Sequence, residues 1–424
     1  MLPSQPAPRR GTPLLSVLQN ADFRLIWWVG TLHEFARRME LLILSWLVLQ
    51  VTDSYFQLGL ILVFNNLPRP FLSLVSGFLA DRFNRRLILQ ISQVVNTLTV
   101  ACILAIMAYD FELLKTWHVF LAITLQGATK AIEDPSRRTA ILDIVGEGRL
   151  VNALSLDVVS NTAGKMVGPL LGGVLLDTVG FAWSYGFVLS VHLVNLSLMM
   201  RLRIPSSELT RQHEPVVRSL AVSINYALHS PVLKGLLYIT ILMNALVFPV
   251  QQFIPAIGRD HLGVGATLVG LLLAAEGIGQ LAGAALMSLT RNVRYHGRVF
   301  VFGSLGVIVM TLLFVWSPWY TLAFALLAVS GLGQAGFSTM QSAITMLAAP
   351  PDMRGRMMGL LSFCIGVGTP LGGLEMGAVA TAFTLQGAIS GNVVAGLILM
   401  LPALVLTPLI SRPLAQPPPA TARI

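Results

Sequence analysis

"GFLADRFNRR", Gly77 to Arg86, decides how this chain is read. It joins one long apolar run, 56–79, to another, 88–109. Each is long enough to cross a bilayer, which takes roughly 20 apolar residues. Gly77 lets neighbouring helices approach. Asp81 falls where a helix ends, and Arg82, Arg85 and Arg86 follow it. An acid among arginines at a helix end can pair with a neighbouring helix and latch one conformation. A plain basic loop between two spans needs the arginines but not Asp81.

The rest of the chain agrees with a membrane reading. Of 424 residues, 55% are hydrophobic and only 11% are charged, and the mean hydropathy is +0.75. A soluble domain carries about 25% charged residues, so a water-facing surface cannot be built from this composition. The two cysteines, Cys102 and Cys364, lie in apolar runs and give neither a disulfide framework nor a metal spacing. The opening "MLPSQPAPRRGTP" lacks the apolar core and cleavage site of a signal peptide.

Twelve spans are expected, near 25–49, 56–79, 88–109, 116–134, 152–176, 181–200, 232–255, 264–289, 298–316, 319–347, 357–380 and 384–410. The basic residues test this count. With a cytoplasmic N-terminus, the outer loops hold only Lys115 and Arg259 of the 28 Lys and Arg residues. Five more, Arg37, Arg38, Arg69, Lys130 and Lys165, fall within spans, and the others face inward. This asymmetry follows the positive-inside rule and accounts for the net charge of +9 without a nucleic-acid partner. Both termini are therefore expected in the cytoplasm, with the bilayer of the cell (inner) membrane as the surrounding partner.

The polar stretch Arg201–Leu220 follows the sixth span. The expected organisation is a six-helix half over 1–200, a cytoplasmic linker over 201–230, a second half over 231–411 and a disordered tail over 412–424. "VGPLLGG" (Val167–Gly173) echoes "GTPLGG" (Gly368–Gly373), Gly77 echoes Gly283, and Arg149 echoes Arg356, each near 200 residues apart. Two parallel repeats with a site between them are a known transporter plan.

At Gly77–Arg86 the chain resembles the major facilitator superfamily, whose signature loop reads Gly, two residues, small, Asp, Arg, any, Gly, Arg, Arg; Asn84 replaces the second Gly. "NADFRLIWWVG", "DPSRRTAILDIVGEGRLVNALSL" and "GPLLGG" resemble the branch that contains the enterobactin exporter and the macrolide efflux proteins. The resemblance implies an all-α transporter of twelve membrane helices and proton-coupled export of an amphipathic small molecule, drug-like or siderophore-like, by alternating access. It also implies gating by Gly77, Asp81, Arg82, Arg85 and Arg86, and by Gly168, Pro169, Gly172 and Gly173 of the fifth span. The alternatives are an importer or lipid carrier of the same fold, or a non-transporting membrane sensor or assembly partner. The expected partners are a small-molecule substrate and protons, with no cofactor, no metal and a monomeric state.

"TLHEFARRMELLILSW", Thr31–Trp46, places five ionisable residues inside the first span. Glu34 and Arg38 at i, i+4 are expected to pair, as are Arg37 and Glu40 at i, i+3. Such pairing offsets the roughly 2.5–3.5 kcal/mol cost of each lone mid-membrane charge. Substrate or proton-coupling candidates are these four together with Arg69, Lys130, Asp157, Lys165, Glu276 and Glu375. Asp157 and Lys165 are expected on similar faces but too far apart to pair, and Glu276 has no basic neighbour in sequence. "GLGQAG" (Gly331–Gly336) matches a dinucleotide pattern but follows no strand, and "AGKM" is no phosphate loop, so no enzyme or ATPase chemistry is read here.

Overall fold

The computed structural model describes residues 14–69, 72, 85–146, 149–204, 216–289, 295–350 and 353–410. Among them every regular element is a helix and there is no strand. Helix α1 (Ala21–Thr52) begins at Asn20, whose side chain accepts from the amides of Asp22 and Phe23. It ends at Asp53, which takes a left-handed φ of 45° and turns the chain into α2 (Tyr55–Asn66). Then come α3 (Arg85–Tyr109) and α4 (Thr116–Val145). Leu150–Arg201 is one continuous helical run broken at Gly180, φ 77°, into α5 (150–179) and α6 (181–201). A residue with a Cβ would be strained there.

Helix α7 (Val216–His229) lies in the linker. The second half follows as α8 (Pro231–His261), α9 (Ala266–Leu289), α10 (His296–Val315), α11 (Tyr320–Ala348), α12 (Arg354–Ala382) and α13 (Leu385–Leu406). Helix α8 contains two π-helical turns, Met243–Val247 and Ile257–His261. Leaving α7 aside, the helices correspond to the twelve expected spans. Among the described residues eight helices are long and apolar enough to cross a membrane, the run through Gly180 counting once. The described part of α2 has only 12 residues, and α1 and α4 carry buried charges, which is why those three fall outside the eight. One boundary is corrected: α4 runs past 134 to Val145 with Pro135 inside it, because the polar residues expected to end it find partners elsewhere in the bundle.

The repeat read from sequence is a packing repeat. A Cβ on Gly168 or Gly172 would press on Arg38 and Met39 of α1 at 2.9–3.0 Å. Its counterparts Gly368 and Gly372 face Asn244 and Ala245 of α8 in the same way. Small residues let α5 lie against α1, and α12 against α8, at backbone distance. One residue further along, Gly173 faces Ala266 of α9, and Gly373 faces Leu62 of α2. These contacts cross between the halves.

Candidate functional site

The charges of α1 are met by one stripe of α4. Lys130, Glu133, Asp134 and Arg137 stand at i, i+3, i+4 and i+7, so they share a face. Glu34 accepts a hydrogen bond from Arg37 Nη2 at 2.7 Å and another from Lys130 Nζ at 3.0 Å. Arg38 Nε stands 3.8 Å from the same carboxylate. The expected Glu34–Arg38 pair is thus present, but as the loosest of three: the i, i+3 neighbour and a lysine 96 positions away hold Glu34 more closely. The expected Arg37–Glu40 pair does not form. Arg37 is turned to Glu34, and Glu40 accepts a short hydrogen bond from the Tyr185 hydroxyl of α6.

The remaining members of the stripe are also engaged. His33 Nε2 lies 3.7 Å from Glu133, and Arg137 Nη1 lies 2.7 Å from Asp157 on α5. Arg69 stands 3.8 Å from Asp134, both 40% exposed. Asp157, expected to be too far from Lys165 to pair with it, is paired with Arg137 instead, and Arg137, expected in an inner loop, is buried. Below this layer Gln93 donates to the His192 carbonyl at 3.1 Å and accepts from Asn195 at 3.0 Å, joining α3 to α6. Sequence reasoning passed over Glu133, Asp134, Tyr185 and this amide pair. The i, i+3, i+4, i+7 spacing in "KAIEDPSR" was the available signal for the first two.

Arg38 also borders a cavity of about 360 Å³ between the halves. This is within the range of small-molecule sites, about 300–1,000 Å³. The first half contributes Arg38, Ser45, Lys165 and Pro169; the second contributes Asn244, Glu276 and five glutamines. Leu41, Leu42, Phe248, Leu273 and Phe337 form apolar wall. Glu276, without a basic neighbour in sequence, shares the cavity with Arg38 and Lys165 and accepts a short hydrogen bond from Gln251. Glu375 lies elsewhere, accepting from Asn392 at 2.5 Å between α12 and α13.

The signature-loop residues Gly77, Asp81 and Arg82 lie outside the described residues. Arg85 pairs with Asp143 of α4, and Arg86 donates to the Met200 carbonyl of α6 at 2.9 Å. At the opposite end of the bundle from the linker, the halves are bolted together. Asp177 of α5 accepts from the amides of Ala266 (3.1 Å) and Thr267 (2.7 Å), capping the first turn of α9. A carboxylate there also meets the positive end of the helix dipole. Arg259 donates to the Leu49 carbonyl at 2.9 Å and pairs with Asp53, while Tyr55 donates to Asp260 at 3.0 Å. From Asp177 the contacts between α5 and α9 step through Gly173/Ala266 and Pro169/Gly270 to Met166/Gly277. Beyond, Gly279 and Gly283 turn to Ala328 and Ala335 of their own half.

The sequence profile of the family described as "Transmembrane secretion effector" matches residues 12–414. The chain belongs to that family, within the major facilitator superfamily. It is 27% identical over 362 residues to the enterobactin exporter EntS of Citrobacter koseri, covering 83% of this chain and 84% of that protein. Among solved structures it resembles a bacterial homolog of the human lysosomal transporter Spinster, described as inward-facing and unoccupied. There the TM-score is 0.74 at 15% identity, over 95% of this chain and 98% of the other. It also resembles the nucleoside transporter NupG, with a TM-score of 0.72 at 12% identity, over 91% of this chain and 99% of the other. The fold is that of a major facilitator transporter, a multi-pass membrane protein.

Proposed function

We propose that this family member exports an amphipathic small molecule from the cytoplasm in exchange for protons, by alternating access. The observation that carries the reading is the cavity shared by the two halves, with apolar walls, two cations from the first half and the Glu276 carboxylate from the second. The halves meet at the end away from the linker, so the state described here is closed at that end. With the linker and both termini in the cytoplasm, as the basic asymmetry implies, the cavity is reached from inside. Export is favoured by the enterobactin exporters among its relatives. Proton coupling is assigned to Glu276, in the cavity, and Glu34, one layer behind Arg38. Each has cations within reach that can replace a bound proton, which is what an exchange of substrate for protons requires.

The test is flux in proteoliposomes holding amphipathic dyes of each charge class, with an imposed pH gradient. Transport should run against the proton gradient and collapse with an ionophore that dissipates it. Glu276→Gln should lose the pH dependence while the protein stays folded. Dye movement that ignores the gradient in both wild type and variant would reject proton exchange.

A further inference from the structure

The cavity holds three charged side chains, and they are not equally engaged. Glu276 accepts from Gln251. The amides of the second half are also committed: Gln252 donates to Ser45 at 2.8 Å, Gln341 to Thr240 at 2.8 Å, and Gln280 to Gln334. Asn244 accepts from Thr369 at 3.1 Å. Lys165 Nζ has no hydrogen bond and no ion pair within 4.0 Å among the described residues. Arg38 makes no side-chain hydrogen bond either, because the carboxylate nearest to it, Glu34, is taken by Arg37 and Lys130. Two cations with unused donors therefore stand at the wall of an otherwise satisfied cavity. Charge inside a bilayer is retained where it does something, and unpaired charge is the most expensive kind.

The internal repeat sharpens this. Gly168 and Gly368 occupy equivalent places, and the residues they touch, Arg38 and Asn244, are counterparts. By the same offset Lys165 corresponds to Ile365, which also lines the cavity. Where the second half presents an amide and a hydrocarbon, the first presents a guanidinium and an ammonium. The positive charge is thus local to one wall, and the opposite wall is amide and apolar surface with one carboxylate, Glu276.

We infer that Arg38 and Lys165 form an anion-binding subsite, so the transported molecule carries an acidic group, a carboxylate, sulfonate or acidic phenolate, on an apolar body. This rests on the cavity being the transport site and names the substrate class that it takes. The acidic group docks between the two cations, Arg38 offering a planar fork and Lys165 a point charge. The apolar body lies against Phe248, Phe337 and Leu273. Glu276, on the second half's wall of the same cavity, sets the limit: a substrate with a second acidic group near it is repelled, and a monoanion is preferred.

Three dansyl probes share one aromatic body and differ in charge: dansylglycine (anion), its methyl ester (neutral) and dansylcadaverine (cation). Binding to the purified full chain in nanodiscs, read by dansyl fluorescence, should favour dansylglycine over dansylcadaverine by at least tenfold. Lys165→Gln should lower dansylglycine affinity about tenfold and leave the methyl ester unchanged, with Lys165→Arg recovering most of the loss. Lys165→Arg keeps the positive charge that shares the cavity with Glu276, so it should unfold at the wild-type temperature and separates loss of the subsite from loss of the fold. Equal binding of anion and cation, an unchanged dansylglycine affinity in folded Lys165→Gln, or no binding of dansylglycine would each overturn the subsite. Charge-selective binding without movement in proteoliposomes would instead leave the subsite standing and remove the transport reading.

Discussion

Glu34 shows what one buried carboxylate does when three cations surround it. Its two close partners, Arg37 and Lys130, are held at 2.7 and 3.0 Å, whereas Arg38 stands at 3.8 Å and is 28% exposed. Removing the hub strands two cations, and breaking a buried pair on one side costs about 3–5 kcal/mol. Glu34→Gln should therefore lower the thermal unfolding midpoint in detergent clearly. Arg38→Gln should cost under about 1 kcal/mol, the scale of a loosely held, partly exposed pair, while weakening acidic ligands. Equal destabilisation by both would mean that Arg38, not Lys130, holds the carboxylate. At this scale the sequence located the charges but not their partners. Spacing allows both i, i+3 and i, i+4 within α1, and cannot choose between them when a lysine from another helix competes for the same oxygens.

At the scale of elements, α5 and α9 form the seam between halves. A Cβ on Gly173 would stand 2.7 Å from the carbonyl carbon of Ala266 and 3.0 Å from Thr267 Cα, both backbone atoms that cannot step aside. Gly173→Ala should force the seam apart, costing about 1–3 kcal/mol in the closed arrangement. The readout is labelling of a cysteine placed at Gln252, deep to the seam, by an impermeant thiol reagent applied from the far side; it should speed up in the variant. Asp177→Ala removes the cap on α9, worth about 0.5–2 kcal/mol, and should shift the same equilibrium about two- to thirtyfold in the same direction. Unchanged labelling in both variants would show that these contacts do not govern closure. The element pattern was legible wherever hydropathy alone sets it. It misled at α4, where Glu133, Asp134 and Arg137 read as the end of a span. Their partners are His33 of α1, Asp157 of α5 and Arg69 just beyond α2, and only the assembled bundle makes a helix through them affordable.

For the whole molecule, orientation is the expectation that most needs a measurement. Of the 28 Lys and Arg residues the expected outer loops hold only Lys115 and Arg259, so a cysteine replacing Ser206 should stay unlabelled by an impermeant thiol reagent in intact cells, and one replacing Lys115 should label. The reverse pattern would invert the transporter and turn export into uptake. The two-half plan was legible because the repeated glycines serve the same packing in each half. The cavity was not, because its glutamines come from α8, α9 and α11 and are scattered through apolar sequence. No spacing rule brings Gln251, Gln280 and Gln341 together.

The π-helical turn at Met243–Val247, closed by the Phe248 amide on the Met243 carbonyl at 2.8 Å, holds one residue more than an α-helical turn would. Each residue in an α-helix rotates the next by about 100°. The turn therefore acts as a phase offset: it fixes which way everything after it points, including Gln251 and Gln252. Deleting one residue within the turn, such as Ala245, should restore an unbroken α-helix with Gln251 and Gln252 still turned to the cavity, so the protein should fold and transport. Deleting one within the regular helix before it, such as Leu237, has no surplus residue to absorb the loss and should cost the fold itself. If the folded Ala245 deletion fails to transport, the π-turn itself, and not only the phase it sets, is needed for flux.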